Sequence, residues 1–353
     1  MTASEKSFLG LAKQTAKGTP NTTDAQFQYI MFSEGALGPN NVFLPLDQEI
    51  GGGALLRNII KAGVSSGGAV TFIPRPNSLG KFLIGTLGKC AAPVSHLPNP
   101  PNDACFTHVF TLDSADQFLA PYWTVRSAPG NLLGEQLQDM RIAALGLTWK
   151  AADYVRGTLA FMGGLPTQLA TTNWAVPTYL DKTAQFIAPL MDIELPTASD
   201  LKVLGGSFAI GLQIPLDDQW MTGSYSPDDF DINSKMFVLS LNIKVTDAAL
   251  YKKMAYDPAA STAWVAAMYR EADFKLYFAS DQLAEASIPF NMTIAANGQN
   301  AASGNANVVW TCTPLAMRAG RQVLMNVTGT WLGDNAALEP ITITLDNTWP
   351  TQY

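Results

Sequence analysis

The sequence predicts a mainly β chain: two β-sandwich or barrel domains in tandem, each flanked by a helix. Three observations predict it. Runs that alternate apolar and polar residues recur along the chain, as in Ile341-Thr342-Ile343-Thr344-Leu345. Helical spacing is confined to two stretches. The order strand, long loop, strand, helix, strand, strand pair occurs twice, in element order rather than residue identity. At 353 residues the chain also exceeds the size at which one core usually stops growing. The expected division is an N-terminal arm over 1–24, a first domain over 25–165, a linker over 166–202 and a second domain over 203–353.

Taken in order, strands are expected near 26–33, 68–74, 106–112, 140–150 and 154–162 in the first copy. Those of the second fall near 203–214, 235–246, 273–279, 287–295, 307–313, 322–331 and 340–347. The stretch "GGAVTFIPRPNSLGKFLIGTLG" at 67–88 contains the unit in brief. Val70, Thr71, Phe72 and Ile73 suit a pleated strand, and Pro74 and Pro76 stop it, because proline lacks a ladder donor. Asn77-Ser78 offers an N-cap for a helix over 77–87, with Leu79, Phe82, Leu83 and Leu87 on one face and Gly88 ending it. In the second copy "KMFVLSLNIKV" leads through Thr246-Asp247 into a helix over 247–271, broken at Asp257-Pro258, and then to "DFKLYFASD". The Pro- and Thr-rich stretch between the copies reads as a linker.

Charge and composition narrow the function. Charged residues are only 14% of the chain and apolar ones 47%, which fits a subunit whose surface is covered by other copies. Net charge is −7, and almost all of it lies in residues 177–353. That opposes a nucleic-acid grip, which needs cations to replace counterions. No apolar run is long enough to span a membrane, and "MTASEKSFLGLAKQTAKGTP" lacks a signal-peptide core. The 3 cysteines do not form a disulfide framework, so folding in a reducing cytoplasm is expected.

Catalytic chemistry is poorly provided for. The 2 histidines, His96 and His108, accompany no nucleophile elbow, P-loop or dinucleotide fingerprint. Cys90, His96, Cys105 and His108 are residue types that zinc accepts, but their spacing is not that of a standard site. The acidic cluster Asp217, Asp218, Asp228, Asp229 and Asp231 could serve glycoside hydrolysis or calcium; it lacks the glycine and glutamate of an EF-hand loop and reads as a solvated loop tip. No enzyme, cofactor or metal is expected.

"FLGLAKQTAKGTP", then 67–88, then "PITITLDNTWPTQY" at the end resemble the tail tube proteins of bacteriophages with long, non-contractile, siphovirus-type tails. The resemblance implies packed β-sheets with a flanking helix, in rings that stack into a hollow tube. Through it DNA passes without specific binding, in a virion assembled from protein made in the host cytoplasm. Implied partners are other copies, other tail proteins and a tape measure protein. With a duplicated domain, three chains would make a pseudo-hexameric ring; the alternative is six chains. The acidic cluster is then a candidate for the lumen. The loops 35–67 and 215–234 are too long for ordinary connections and are expected to join stacked rings. Their contact residues would be Val42, Phe43, Leu55 and Leu56 in one, and Trp220, Met221, Tyr225 and Phe230 in the other. Competing readings are a distal tail or terminator protein, and a carbohydrate-binding sandwich centred on Trp220, Tyr225 and the aspartates.

Overall fold

A computed structural model describes residues 7–47, 58–96, 104–113, 115–169, 179, 184–194, 202–215, 219–246, 248–259, 263–271, 274–285, 288–296, 308–315, 322–332 and 340–353. The strands before the middle of the chain are β1 (Phe8–Lys13), β2 (Gln28–Ile30), β3 (Glu34–Pro45), β4 (Ile59–Phe72), β5 (Gly88–Cys90), β6 (Val94–Ser95), β7 (Phe106–Leu112), β8 (Trp123–Ala128), β9 (Gly134–Lys150), β10 (Arg156–Gly163) and β11 (Pro166–Leu169). After it come β12 (Asp192–Glu194), β13 (Lys202–Gln213), β14 (Ser234–Lys244), β15 (Tyr269–Glu271), β16 (Lys275–Glu285), β17 (Ile288–Ala296), β18 (Val308–Cys312), β19 (Leu324–Trp331) and β20 (Ile341–Asn347). The helices are α1 (Pro76–Leu87) and α2 (Ala249–Ala255).

Two antiparallel sheets face each other. The larger runs β15-β18-β19-β14-β13-β9-β10-β4-β3, with β1, β2, β8 and β11 attached through β9 and its neighbours; the smaller runs β12-β16-β17-β20-β7-β5, with β6 on β7. Alternation places the core. Phe237, Leu239, Leu241 and Ile243 of β14 and Ile341, Ile343 and Leu345 of β20 all turn inward. One apolar cluster holds Leu145, Phe161, Phe208, Met292 and Ile343 together. Strands from both sides of 166–202 share the sheets: β9 pairs with β13, and β7 with β20.

α1 lies between the sheets, against β9 and β13 on one side and β7, β17 and β20 on the other. Leu79, Phe82, Leu83, Ile84 and Leu87 are all buried. The helix starts one residue earlier than the capping pattern suggests. Arg75 is its N-cap and Pro76 its first residue, a position where proline costs no hydrogen bond. Asn77 is therefore free for another task. Its side chain accepts from Thr348 N at 3.1 Å and donates to Thr348 Oγ1 at 3.0 Å. Asn347 Nδ2 donates to Pro76 O at 3.1 Å and to the Tyr353 hydroxyl at 2.8 Å. The Tyr353 ring covers Gly80, where a Cβ would stand 2.2 Å from Cζ. The "RPNSLG" and "LDNTWPTQY" stretches are thus one contact.

Several expectations need correction. Residues 8–13, assigned to the arm, are a buried strand hydrogen-bonded to both β2 and β8. Most of the expected loop 35–67 is the long β3–β4 hairpin. Gly35, Gly38, Pro39, Asn40 and Asn41 hid β3 from the pattern; proline is tolerated because β3 is an edge strand. The helix over 247–271 stops at Ala255, before Asp257-Pro258, and Tyr269–Glu271 pairs with β18 as β15. Strands β5, β6, β8, β11 and β12 were not anticipated either.

Candidate assembly surface

The β3–β4 hairpin runs beyond its neighbours at one end of the larger sheet, and its far part is apolar and exposed. Val42, Phe43, Leu44, Leu46, Ile59 and Ile60 all face solvent, Phe43 at 57%. Exposed apolar patches on edge strands are the kind of surface that protein interfaces use. Val42 and Phe43 are where the sequence placed contacts; Leu55 and Leu56 lie outside the described residues. Leu44, Ile59 and Ile60, exposed beside them, were not singled out from the sequence. The available signal was that Leu44 and Ile60 would face each other across a hairpin, apolar on both strands with no polar alternation.

The other expected contact loop comes to this hairpin. Trp220 packs over Gly63, and Val64 N donates to Tyr225 O at 2.8 Å. Met221 and Tyr225 point outward, Tyr225 at 70% exposure. Two segments far apart in sequence thus form one surface. Phe230 does not join it: at 1% exposure it belongs to the core, its side chain turned under the loop.

The acidic cluster separates into different environments. Asp217 and Asp218 lie outside the described residues, and Asp228 and Asp231 are exposed. Asp229 is engaged. It accepts from the Tyr122 hydroxyl and from Phe230 N at 2.7 Å, and pairs with Lys17 Nζ at 3.2 Å. Burial opposes its charge, but these three donors outweigh it and hold the carboxyl below the usual carboxylate range. Tyr122 is pushed up to about 12 by burial and by Asp229. The Arg141 guanidinium stacks on the Tyr122 ring at 4.1 Å and donates to its hydroxyl at 2.7 Å. This network ties the segment after β1 to the loop before β14. Beside it, Lys235 of β14 donates to Leu87 O at 3.0 Å and Leu119 O at 2.7 Å. A cation at the C-terminus of α1 suits the helix dipole.

The Cys/His set has separate uses. His96 Nε2 lies 2.7 Å from Thr107 Oγ1 and 3.2 Å from Asp346, and His108 Nε2 lies 2.9 Å from Trp349 O. Cys90 and Cys105 are buried and joined in no disulfide. Among the described residues no group of three or more His, Cys, Asp or Glu could hold a metal ion. What this end of the larger sheet does present is a set of exposed apolar side chains on an edge hairpin, with the Asp229 network beside it.

Comparison with known proteins agrees. A family model described as phage tail tube protein matches residues 4–318. No curated protein matches the chain.

Proposed function

Because the chain belongs to the phage tail tube protein family, structural and non-enzymatic components of the virion tail that assemble with their own copies into a tube, we propose that three copies close one ring of six tube positions. Rings then stack into the hollow tube of a long, non-contractile tail.

One observation carries this reading. In the larger sheet the strand order β3-β4-β10-β9 is followed at once by β13-β14-β19-β18. Each set has its first two strands joined as a hairpin, a helix after the second strand, and its last two strands in reversed order. The sets run in the same direction, so β9 of one meets β13 of the other across 7 residue pairs, Gly205 to Gly211 against Lys150 to Ala144. A head-to-tail seam of this kind repeats until it closes. Between chains, β18 with β15 beside it would meet β3 of the next copy, leaving no open edge. The acidic balance of the second half suits a lumen that lets a polyanion slide. Other tail proteins and a tape measure protein would meet the tube at its ends and in its lumen.

A second reading has its own support: β15 already covers the outer edge of β18, and the two halves share one core. Each chain would then fill a single position, with six to a ring. Mass measurement of an isolated ring decides between them. Three chains of 37.9 kDa total about 114 kDa and six about 227 kDa.

A further inference from the structure

We propose that the 348–353 segment is an acid-released strap. With a neutral His108 it is fastened across α1 and β7; a second proton on that buried imidazole unfastens it while the sheets stay folded.

The segment follows β20 as irregular chain, so separate contacts hold it rather than a ladder. Thr348 N donates to Asn77 Oδ1 at 3.1 Å, and Gln352 Nε2 donates to Cys90 O. Lys13 Nζ donates to Tyr353 O at 3.2 Å, and the Tyr353 hydroxyl donates to Asn77 O at 3.2 Å. The Tyr353 ring meets Trp349 at 5.9 Å, Phe110 at 5.7 Å and His108 edge-on at 4.8 Å.

His108 lies beneath these contacts at 0% exposure. Its Nε2 is 2.9 Å from Trp349 O. A carbonyl only accepts, so Nε2 carries the proton of the neutral ring and Nδ1 is bare. Nδ1 is buried and has no hydrogen-bond partner among the described residues. A second proton must go there, making a cation with no acceptor in a dry site. Burial therefore holds His108 below the usual histidine value, against opposing effects of Trp349 O, Asn347 and Asp346. Lifting the strap lets water reach the ring and returns it to a value near 6.5. The docked ring thus binds a proton less readily than the released one. The hold is full above about pH 6.5 and falls as the pH drops below it.

The charged neighbour of the ring is Asp346 of β20, which His96 also approaches at 3.2 Å. Lys13 of β1, Lys81 of α1, Cys90 of β5 and Tyr353 itself stand around the strap. Burial pushes both lysines down, Lys81 to about 8, and pushes the thiol and the phenol up. Below pH 7 the lysines stay charged and the thiol and phenol stay neutral, so none of the four drives the release.

The test follows deuterium uptake by residues 348–353 in the full chain, corrected for the intrinsic pH dependence of exchange. Between pH 7.5 and 5.5 opening should increase by up to about tenfold, the span that a released value near 6.5 allows, while β14 stays protected. His108→Gln keeps a donor for Trp349 O and cannot titrate, so the increase should vanish. His96→Gln should retain it. Uptake that does not change in the wild type, or that rises equally in His108→Gln, would overturn the strap. So would loss of protection in β14 over the same range, since acid would then be opening the sheets. Should His108→Gln fail to fold, exchange at the histidine C2 position of the wild type reads the titration of His108 directly; a value at or above 6.5 would refute the proposal.

Discussion

Trp220 lies over Gly63. A Cβ at Gly63 would stand 2.4 Å from Cζ3 of the indole and 3.3 Å from Tyr225 O, so only a glycine lets the loop before β14 rest on the hairpin. This contact makes one surface of two segments drawn from opposite halves of the chain.

Gly63→Ala should therefore destabilise the protein by about 1–3 kcal/mol, the usual cost of overpacking a close contact. In a Trp220→Ala background most of that loss should vanish. A urea double-mutant cycle measures the coupling; equal losses in both backgrounds would show that the indole is not what Gly63 accommodates.

The Tyr353 ring makes the same demand of Gly80, where the nearest ring atom would stand 2.2 Å from a Cβ. Gly80→Ala should expel the ring and break its hydroxyl contacts with Asn347 and Asn77 O. A loss of about 2–4 kcal/mol is expected from strain and unpaired buried groups together. Carboxypeptidase should then remove the last residues faster than in the wild type. Unchanged digestion would separate Gly80 from the tail.

Lys235 titrates low, at about 8, held there by burial, with Arg141 adding to the effect and Asp116 opposing it. Its folded pKa lies below the unfolded value near 10.4. Between these values the unfolded chain binds more protons, so this group's contribution to stability rises with pH from about 8 to about 10.4 and is constant below 8. The difference in unfolding free energy between wild type and Lys235→Met should follow that curve. A difference that stays flat across the window would contradict the assignment.

Asp229 and Asp228 are neighbours with opposite roles. Asp229→Asn should lower the unfolding midpoint and speed proteolysis of the 219–230 loop, because it weakens the contacts to Tyr122 and Lys17. Asp228→Asn should do neither, since its side chain is exposed. The Asp229 carboxyl is depressed, so its stabilisation is present above the unfolded value near 3.9 and is lost as pH falls through the folded one. Thermal melts of both variants at pH 7 and at low pH check this; identical behaviour of the two would refute it.

Local pattern was enough for much of this molecule. Strict alternation identified β20 and β14, because a half-buried strand needs period two whatever it packs on. Helical spacing and Gly88 marked α1, whose end is set by a left-handed glycine at φ 98°. Trp220 and Tyr225 stood out as apolar groups on a polar loop. Other features were decided only by contact between distant parts. β3 is a strand because β4 supplies its hydrogen bonds, and Tyr269–Glu271 is one because β18 does. Phe230 turns inward although its loop stays at the surface. The place of the 219–230 loop on Gly63 and the covering of Gly80 by Tyr353 each join residues far apart in sequence. Periodicity reports which face of an element is apolar; which partner covers that face depends on how the sheets are ordered, and that order exists only once the chain has closed on itself.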